Sequence, residues 1–243
     1  MPSADPLTRG EKAKLARLRA DLLDWFTREG RALPWRDPSA STYEKIVVEV
    51  LLQRTTAAAV GKFFHAFVAR FPSWESLAAA SPDELETFLK PLGLWRRRAI
   101  ALVGLARYAA AAGGVFPRDR AAHAEIPAVG QYVSNAIAMF QHGRGAPLLD
   151  VNMARVIERF VRPRRLADIR YDPWLQAAAH WLVRGPVPQQ VNWAVLDFAA
   201  LVCQARTPRC GDCPVERRCA YARRARETRR AGKVGEPQRE QSA

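Results

Sequence analysis

The chain of 243 residues is 49% apolar and 26% charged, a composition that excludes an intrinsically disordered protein. Its 38 lysines and arginines against 24 aspartates and glutamates give a net charge of +14, which favours a polyanionic partner such as nucleic acid. No apolar run is long enough to cross a bilayer and the charged N-terminus does not fit a secretory signal, so we expect a cytoplasmic protein without structural disulfides.

Apolar residues recur every three or four positions along most of the chain, which predicts helices. The spacing from Leu15 to Phe26 predicts a first helix that ends near Glu29. Later helices are predicted at 46–51, 63–68, 81 onward, 99–112, 132–141, 150–160, 174–183 and 192–202. Neither sustained period-two alternation nor an Asn-Gly or Asp-Gly hairpin signal is present, so the sequence predicts an all-α fold. The basic segment 223–243 lacks large apolar residues and is expected to be a disordered tail.

All four cysteines lie in one short segment with the spacing C-x6-C-x2-C-x5-C, at positions Cys203, Cys210, Cys213 and Cys219. Four thiols this close in a reducing compartment indicate a metal centre, either zinc or an iron–sulfur cluster. Zinc sites usually show two C-x-x-C pairs, whereas this segment has one, and its longer loops favour the larger cluster. The alternative is four unrelated buried cysteines.

This spacing at the C-terminal end of a basic helical protein resembles the [4Fe–4S] loop of helix–hairpin–helix DNA glycosylases, in the branch of endonuclease III and MutY. The resemblance implies a structural cluster, not used for bond breaking, that shapes a basic loop near the DNA backbone. It also implies that nearby arginines present cations to phosphates. They are Arg206, Arg209, Arg217 and Arg218.

A second motif, residues 126–132, reads Ile-Pro-Ala-Val-Gly-Gln-Tyr between two predicted helices. Backbone amides that open onto the following helix can bind a phosphate. The motif is similar to the family's L-P-G-V-G hairpin, which grips the DNA backbone, and this implies DNA contacts for Ala128, Gly130 and Gln131. Ala128 stands where the family usually has glycine, which implies a restricted or altered turn.

Asp150 begins the next predicted helix, where its commonest role is that of an N-cap. The D-x-N-x-x-R-V pattern of Asp150, Asn152, Arg155 and Val156 resembles the family's catalytic-aspartate motif. The resemblance implies that the Asp150 carboxylate stabilises the positive sugar as the base departs. A helix N-terminus would favour the ionised form, so both roles are compatible.

Tyr132 occupies the position that holds lysine in the bifunctional endonuclease III type. A lysine amine can attack the sugar and form a Schiff base that leads to strand cleavage, and tyrosine cannot. The resemblance therefore implies water as the nucleophile and a glycosylase without lyase activity. Without the family context, Tyr132 could be a packed residue at a helix start.

The run from Val48 to Thr56 is similar to the MutY branch and contains Glu49 in an apolar stretch. Burial would raise the pKa of Glu49 and let it donate a proton or orient water. The family match further implies that four residues insert into the duplex to replace a flipped base. They are Gln53, Arg54, Leu94 and Trp95, of which Trp95 could equally belong to the core.

Within the branch, the Arg-Thr-Thr-Ala sequence after Gln53 and the Leu-Gly-Leu at 92–94 resemble the Mig-type thymine mismatch glycosylases most closely. Adenine glycosylases carry a further domain after the cluster, and here only 24 residues follow Cys219. The expected function is removal of thymine or uracil opposite guanine. A truncated adenine glycosylase and a non-catalytic DNA-binding redox sensor remain alternatives.

The expected architecture has two lobes. A helical barrel would span 35–143, and a second lobe of 1–34 and 144–222 would carry the cluster, with 223–243 as the tail. Asp150 and Tyr132 would face a cleft between the lobes. The expected partner is double-stranded DNA with a mismatched or damaged base, bound by a monomer in the cytoplasm at the nucleoid.

Overall fold

The computed structural model describes residues 6–234, with side chains up to residue 228. Every regular element in that part of the chain is helical, which confirms the all-α prediction. Eleven α-helices are present in the described residues: α1 Arg9–Glu29, α2 Thr42–Leu51, α3 Ala57–Arg70, α4 Trp74–Ala78, α5 Pro82–Leu89, α6 Trp95–Ala111, α7 Gln131–Phe140, α8 Val151–Phe160, α9 Pro173–Val183, α10 Pro188–Leu201 and α11 Ala220–Val234. None of the described helices is long and apolar enough to span a membrane.

The chain divides into two compact units. The central unit comprises Arg31–Leu148 and Arg184–Gln189, and the terminal unit comprises Met1–Gly30, Leu149–Val183 and Gln190–Ala243. The central unit therefore holds α2 to α7, and the terminal unit holds α1, α8, α9, α11 and most of α10.

In the central unit, α6 packs against α4 and α5, and α2 packs against α6 and α7. The core between them is rich in aromatic rings, and the Tyr43 and Trp74 rings meet edge to face at 4.8 Å. Such contacts stabilise the core beyond the burial of apolar area alone. This packing fixes the helix ends that carry Glu49, Arg98 and Tyr132.

In the terminal unit, the apolar stripe of α1 is fully buried at Leu15, Leu18 and Leu22. The ring of Trp25 meets Phe198 of α10 edge to face at 5.5 Å. Helix α9 packs against α1 and α8, and α11 packs against α8. Helix α8 therefore contacts α9 and α11, and α9 connects this packing to the N-terminal helix.

The prediction of a disordered tail from residue 223 is wrong for residues 223–234, which continue α11. Alanine and arginine are both good helix formers, and the Arg223 guanidinium lies 3.9 Å from the Glu227 carboxylate one turn later. Arg226 pairs with Glu216 and ties the helix to the cysteine segment. Residues 235–243 of the predicted tail lie outside the described residues.

Candidate active site

Asp150 is the N-cap of α8, as one interpretation of the sequence had it. Its Oδ1 accepts hydrogen bonds from the backbone N–H groups of Asn152 and Met153, at 2.9 and 2.8 Å. Its Oδ2 accepts one from the side-chain amide of Asn152 at 2.6 Å. Burial raises the pKa of the Asp150 carboxyl above its ordinary value, and these hydrogen bonds and Arg155 lower it only in part.

The spacing of the D-x-N-x-x-R motif has a direct physical explanation in this helix. Asn152 donates to Asp150, and its Oδ1 accepts from Arg155 Nη1 at 3.1 Å. Arg155 in turn donates to the backbone carbonyls of Cys203 at 2.8 Å and Ala199 at 3.0 Å. The carboxylate is thus connected through two side chains to the first residue of the cysteine segment.

Glu49 and Tyr132 come together in the central unit. Glu49 on α2 is only 2% exposed, and its Oε2 accepts a hydrogen bond of 2.7 Å from the Tyr132 hydroxyl in the first turn of α7. A buried carboxylate needs such a donor to offset its lost hydration. The two residues that the sequence analysis singled out separately therefore form one pair, whereas Asp150 belongs to the terminal unit.

The hairpin before α7 is a tight turn with an uncapped helix start. The Val129 N–H donates to the Ile126 carbonyl at 3.2 Å, which places Pro127 and Ala128 at the two central positions. Ala128 has a φ of +63°, so this turn is of the kind that normally requires glycine at its third residue. Gly130 caps α7 without a side chain, which leaves room for a phosphate oxygen near the first-turn amides.

Two short connections in the central unit carry three of the four predicted inserting residues. Gln53 and Arg54 are exposed between α2 and α3, and Leu94 before α6 is 51% exposed. Trp95 instead packs partly buried against the core. Arg54 and Leu94 have φ values of +57° and +51°, a conformation that costs a side-chain-bearing residue about 1–2 kcal/mol.

Arg98, which no sequence motif singled out, is buried and contacts both of these connections. It is the last residue of an Arg-Arg-Arg run, a pattern that usually indicates a solvated surface. The available signal was its helical register: Arg98 shares a face of α6 with the buried residues Leu102 and Leu105.

The four cysteines line one cavity in the terminal unit, with apolar walls from α1, α8 and α10. About 400 Å³ in this cavity is free of protein atoms, part of it open to solvent. Burial, assisted by the other thiols, raises the pKa of Cys210, and burial raises that of Cys213 to about 12. Among the described residues, no three Cys, His, Asp or Glu side chains are arranged around a single ion position.

Arg159 secures the segment that follows the first cysteine. Its guanidinium donates to the carbonyls of Gln204 at 2.7 Å and Ala205 at 2.8 Å, and it lies over the Tyr221 ring at 4.8 Å. Two of the four predicted phosphate-binding arginines in this region are already paired, Arg209 with Asp212 and Arg218 with Asp21.

Comparisons with known proteins show which family the chain resembles. Residues 47–168 match the family model described as HhH-GPD superfamily base excision DNA repair protein. A thymine-DNA glycosylase of Aeropyrum pernix is 33% identical over 87% of this chain and 96% of its own length. An adenine DNA glycosylase of Mycobacterium tuberculosis is 35% identical over 81% of this chain but only 65% of its own length.

A solved structure described as a thermostable thymine-DNA glycosylase superposes with a TM-score of 0.76 at 29% identity, covering 87% of this chain and 98% of that chain. The matched segment contains Glu49, the hairpin, Tyr132 and Asp150. These matches confirm the resemblance found in the sequence, and the chain belongs to the HhH-GPD superfamily of base excision DNA repair proteins.

Proposed function

We propose that the protein is a monofunctional DNA glycosylase that removes thymine or uracil mispaired with guanine. The observation that carries the proposal is the Asp150 carboxylate, held by three donors at a helix N-terminus within the D-x-N-x-x-R network. Such a fixed negative charge stabilises the positive charge that develops on a sugar as its base departs.

In the proposed reaction, the C1′–N bond breaks and its electron pair leaves with the base. Asp150 stabilises the cationic sugar, and water adds at C1′ and loses a proton. Glu49, positioned by the Tyr132 hydroxyl at 2.7 Å, protonates the departing base or orients the water. No amine is available at position 132 to form a Schiff base, so the product is an intact strand with an abasic site.

The choice of base follows from the relatives. The protein of Aeropyrum pernix named a thymine-DNA glycosylase is matched over 96% of its length. The adenine glycosylase of Mycobacterium tuberculosis is matched at similar identity but over a smaller share of its own length. Adenine removal is therefore the second candidate.

A panel of duplexes tests the proposal: G·T, G·U, A·G, A·8-oxoguanine and an oxidised pyrimidine, each assayed with and without alkali. We expect cleavage of G·T and G·U strands only after alkali. Preferred release of adenine would support the second candidate, and no release from any duplex would favour a non-catalytic DNA-binding protein.

We also propose that Cys203, Cys210, Cys213 and Cys219 hold a [4Fe–4S] cluster. The support is their common cavity and the all-thiol donor set, which suits iron–sulfur clusters. The cluster would be structural, shaping the segment that Arg155 and Arg159 bind. Anaerobically purified protein should contain about four irons per chain, and zinc in their place would contradict the assignment.

Binding of mismatched double-stranded DNA is proposed for the hairpin residues Ala128, Gly130 and Gln131 and for the exposed Gln53, Arg54 and Leu94. A monomeric state and a cytoplasmic location remain predictions from the sequence.

A further inference from the structure

Arg98 is a buried cation without an acidic partner among the described residues. Its side chain lies on α6 and the residue is 5% exposed. A charged group in such a place loses its hydration and is retained only when other polar groups replace the water. Here carbonyl oxygens and one hydroxyl do so, and their positions indicate what the residue is for.

The guanidinium joins two separate connections of the central unit. Nη1 donates to the carbonyls of Leu92 at 3.2 Å and Gly93 at 2.5 Å. Nη2 donates to the carbonyl of Gln53 at 2.9 Å and to Thr55 Oγ1 at 2.7 Å. The planar, rigid fork of arginine can serve both connections at once, which a lysine ammonium on its flexible stem cannot reproduce.

These contacts flank the two strained residues. Gln53 and Thr55 lie on either side of Arg54, and Gly93 directly precedes Leu94. Arg54 and Leu94 both have left-handed backbone conformations. Such conformations persist only where the surrounding structure fixes them, and they cluster at functional sites. Thr55 Oγ1 also lies 3.5 Å from the Leu92 carbonyl, which joins the two connections a second time.

We infer that Arg98 is a positioning residue for base extrusion: it holds the α2–α3 connection and the α5–α6 connection in register, so that Arg54 and Leu94 enter the duplex together. The inference rests on the proposed function for the inserting role of those two side chains. It assigns Arg98 no contact with the reacting atoms. Loss of Arg98 should therefore impair extrusion of a stacked base far more than cleavage of a base that is already unpaired.

The test compares two substrates in single-turnover assays with excess enzyme: a duplex with a G·U pair, and the same duplex with uracil as an unpaired single-nucleotide bulge. Because unstacking a paired base costs a few kcal/mol, we expect Arg98→Gln to slow release more than about 10-fold from G·U and less than about 3-fold from the bulge. Arg98→Lys should give a smaller loss in the same direction. Equal slowing on both substrates would overturn the inference.

Arg97→Gln is the matched control, since Arg97 is the exposed neighbour on the same helix turn. It removes the same charge without touching either connection and should leave both rates within about 2-fold of wild type. The ratio of rates on the two substrates is independent of the folded fraction of a variant. A partly unfolded Arg98→Gln preparation therefore still decides the question.

Amide hydrogen exchange provides a readout that does not depend on catalysis. In Arg98→Gln, peptides that cover 52–56 and 91–95 should exchange faster, while the α8 peptide stays unchanged. Unchanged exchange in the first two peptides would overturn the inference. If wild type released uracil from neither substrate, the proposed function would be wrong, and the exchange result would still decide whether Arg98 orders the two connections.

Discussion

Two aspartates of the terminal unit precede helices and accept backbone hydrogen bonds, yet their pKa values move in opposite directions. Burial raises the pKa of each carboxyl. At Asp172, hydrogen bonds from the backbone of Arg165, Leu166 and Leu175 outweigh burial, and the pKa is lowered. At Asp150 burial prevails. Ionisation of Asp172 therefore stabilises the folded protein, whereas ionisation of Asp150 destabilises it.

Asp150→Asn should slow base release strongly and leave folding nearly unchanged. The amide oxygen of the new side chain can still accept from the backbone N–H groups of Asn152 and Met153. Its NH2 group, however, would face the side-chain NH2 of Asn152, so the Asn152 amide must flip and lose the hydrogen bond that it accepts from Arg155. We expect stability to change by less than about 1 kcal/mol, because a buried charge is removed as that hydrogen bond is lost. Single-turnover base release should fall about 100- to 1000-fold.

Asp172→Asn is the matched control for the cap alone. Its Oδ2 accepts from two backbone N–H groups, and an NH2 group there would leave both unpaired. Unfolding in urea should show a loss of about 1–3 kcal/mol, while base release per folded molecule stays near wild type. Normal single-turnover rates in Asp150→Asn would reduce Asp150 to a cap and contradict the mechanism.

The raised pKa of Asp150 predicts an unusual acid limb in the pH profile. Only the ionised carboxylate stabilises the sugar cation, so base release must fall as the pH falls through the pKa of Asp150. Since burial raises that pKa from its ordinary 3.8, the loss should begin at a higher pH than for an exposed aspartate. Single-turnover rates between about pH 3 and pH 8 measure the midpoint; a midpoint at or below the ordinary value would contradict the assignment.

The lowered pKa of Asp172 predicts a contribution to stability that depends on pH. Its pKa is lowered in the folded protein, so its stabilisation is fully present above the unfolded value of 3.8 and is lost as the pH falls through the folded pKa. The difference in unfolding free energy between wild type and Asp172→Asn should therefore be largest near neutral pH and shrink in acid. A constant difference across the acid range would contradict the pKa direction.

At the scale of elements, the hairpin before α7 combines a strained turn with a close helix contact. Ala128 adopts a positive φ, and a Cβ on Gly104 of α6 would lie 2.8 Å from Pro127. Glycine at position 104 therefore lets α6 approach the turn, whereas the turn itself lacks the glycine that it favours. Strain at position 128 is tolerated because Pro127 and the following helix fix the chain on both sides.

Ala128→Gly should stabilise the protein. Glycine adopts a φ near +63° without steric cost, and after its larger entropy in the unfolded chain is subtracted we expect a net gain of about 0.5–1 kcal/mol. Chemical denaturation measures the gain. Gly130→Ala is the control, since its φ of −82° suits any residue and a Cβ there meets no atom within 4 Å. A loss of stability in Ala128→Gly would contradict the strain.

The elements show what sequence patterns can and cannot predict. Ser81 before Pro82 was enough to place the start of α5, because the serine cap and the proline act locally. The α11 helix was missed because it has few large apolar residues, and its ion pair to Glu216 bridges two elements. Arg98 was missed for a similar reason: its partners lie 5–45 residues away and are mostly backbone carbonyls, which leave no side-chain pattern.

For the whole molecule, the net charge of +14 indicated a polyanionic partner without locating its site. The structure divides the predicted basic loop into paired and unpaired arginines: Arg209 and Arg218 have acidic partners, while Arg206 and Arg217 have no ion pair among the described residues. Phosphates are therefore expected to contact Arg206 and Arg217 first. Local patterns singled out Glu49 and Tyr132 separately as catalytic candidates, but their hydrogen bond joins residues 83 positions apart and needed the fold.

The central claim, hydrolysis of the base without strand cleavage, is tested most directly on one G·T duplex with wild-type enzyme. Free thymine, strand breaks without alkali and borohydride-trapped adduct are measured in the same single-turnover reaction. We expect free thymine equal to the abasic sites that alkali reveals, an intact strand before alkali and no adduct, because Tyr132 carries no amine and its hydroxyl is bound to Glu49. Strand breaks that keep pace with thymine release, together with a trapped adduct, would contradict this claim.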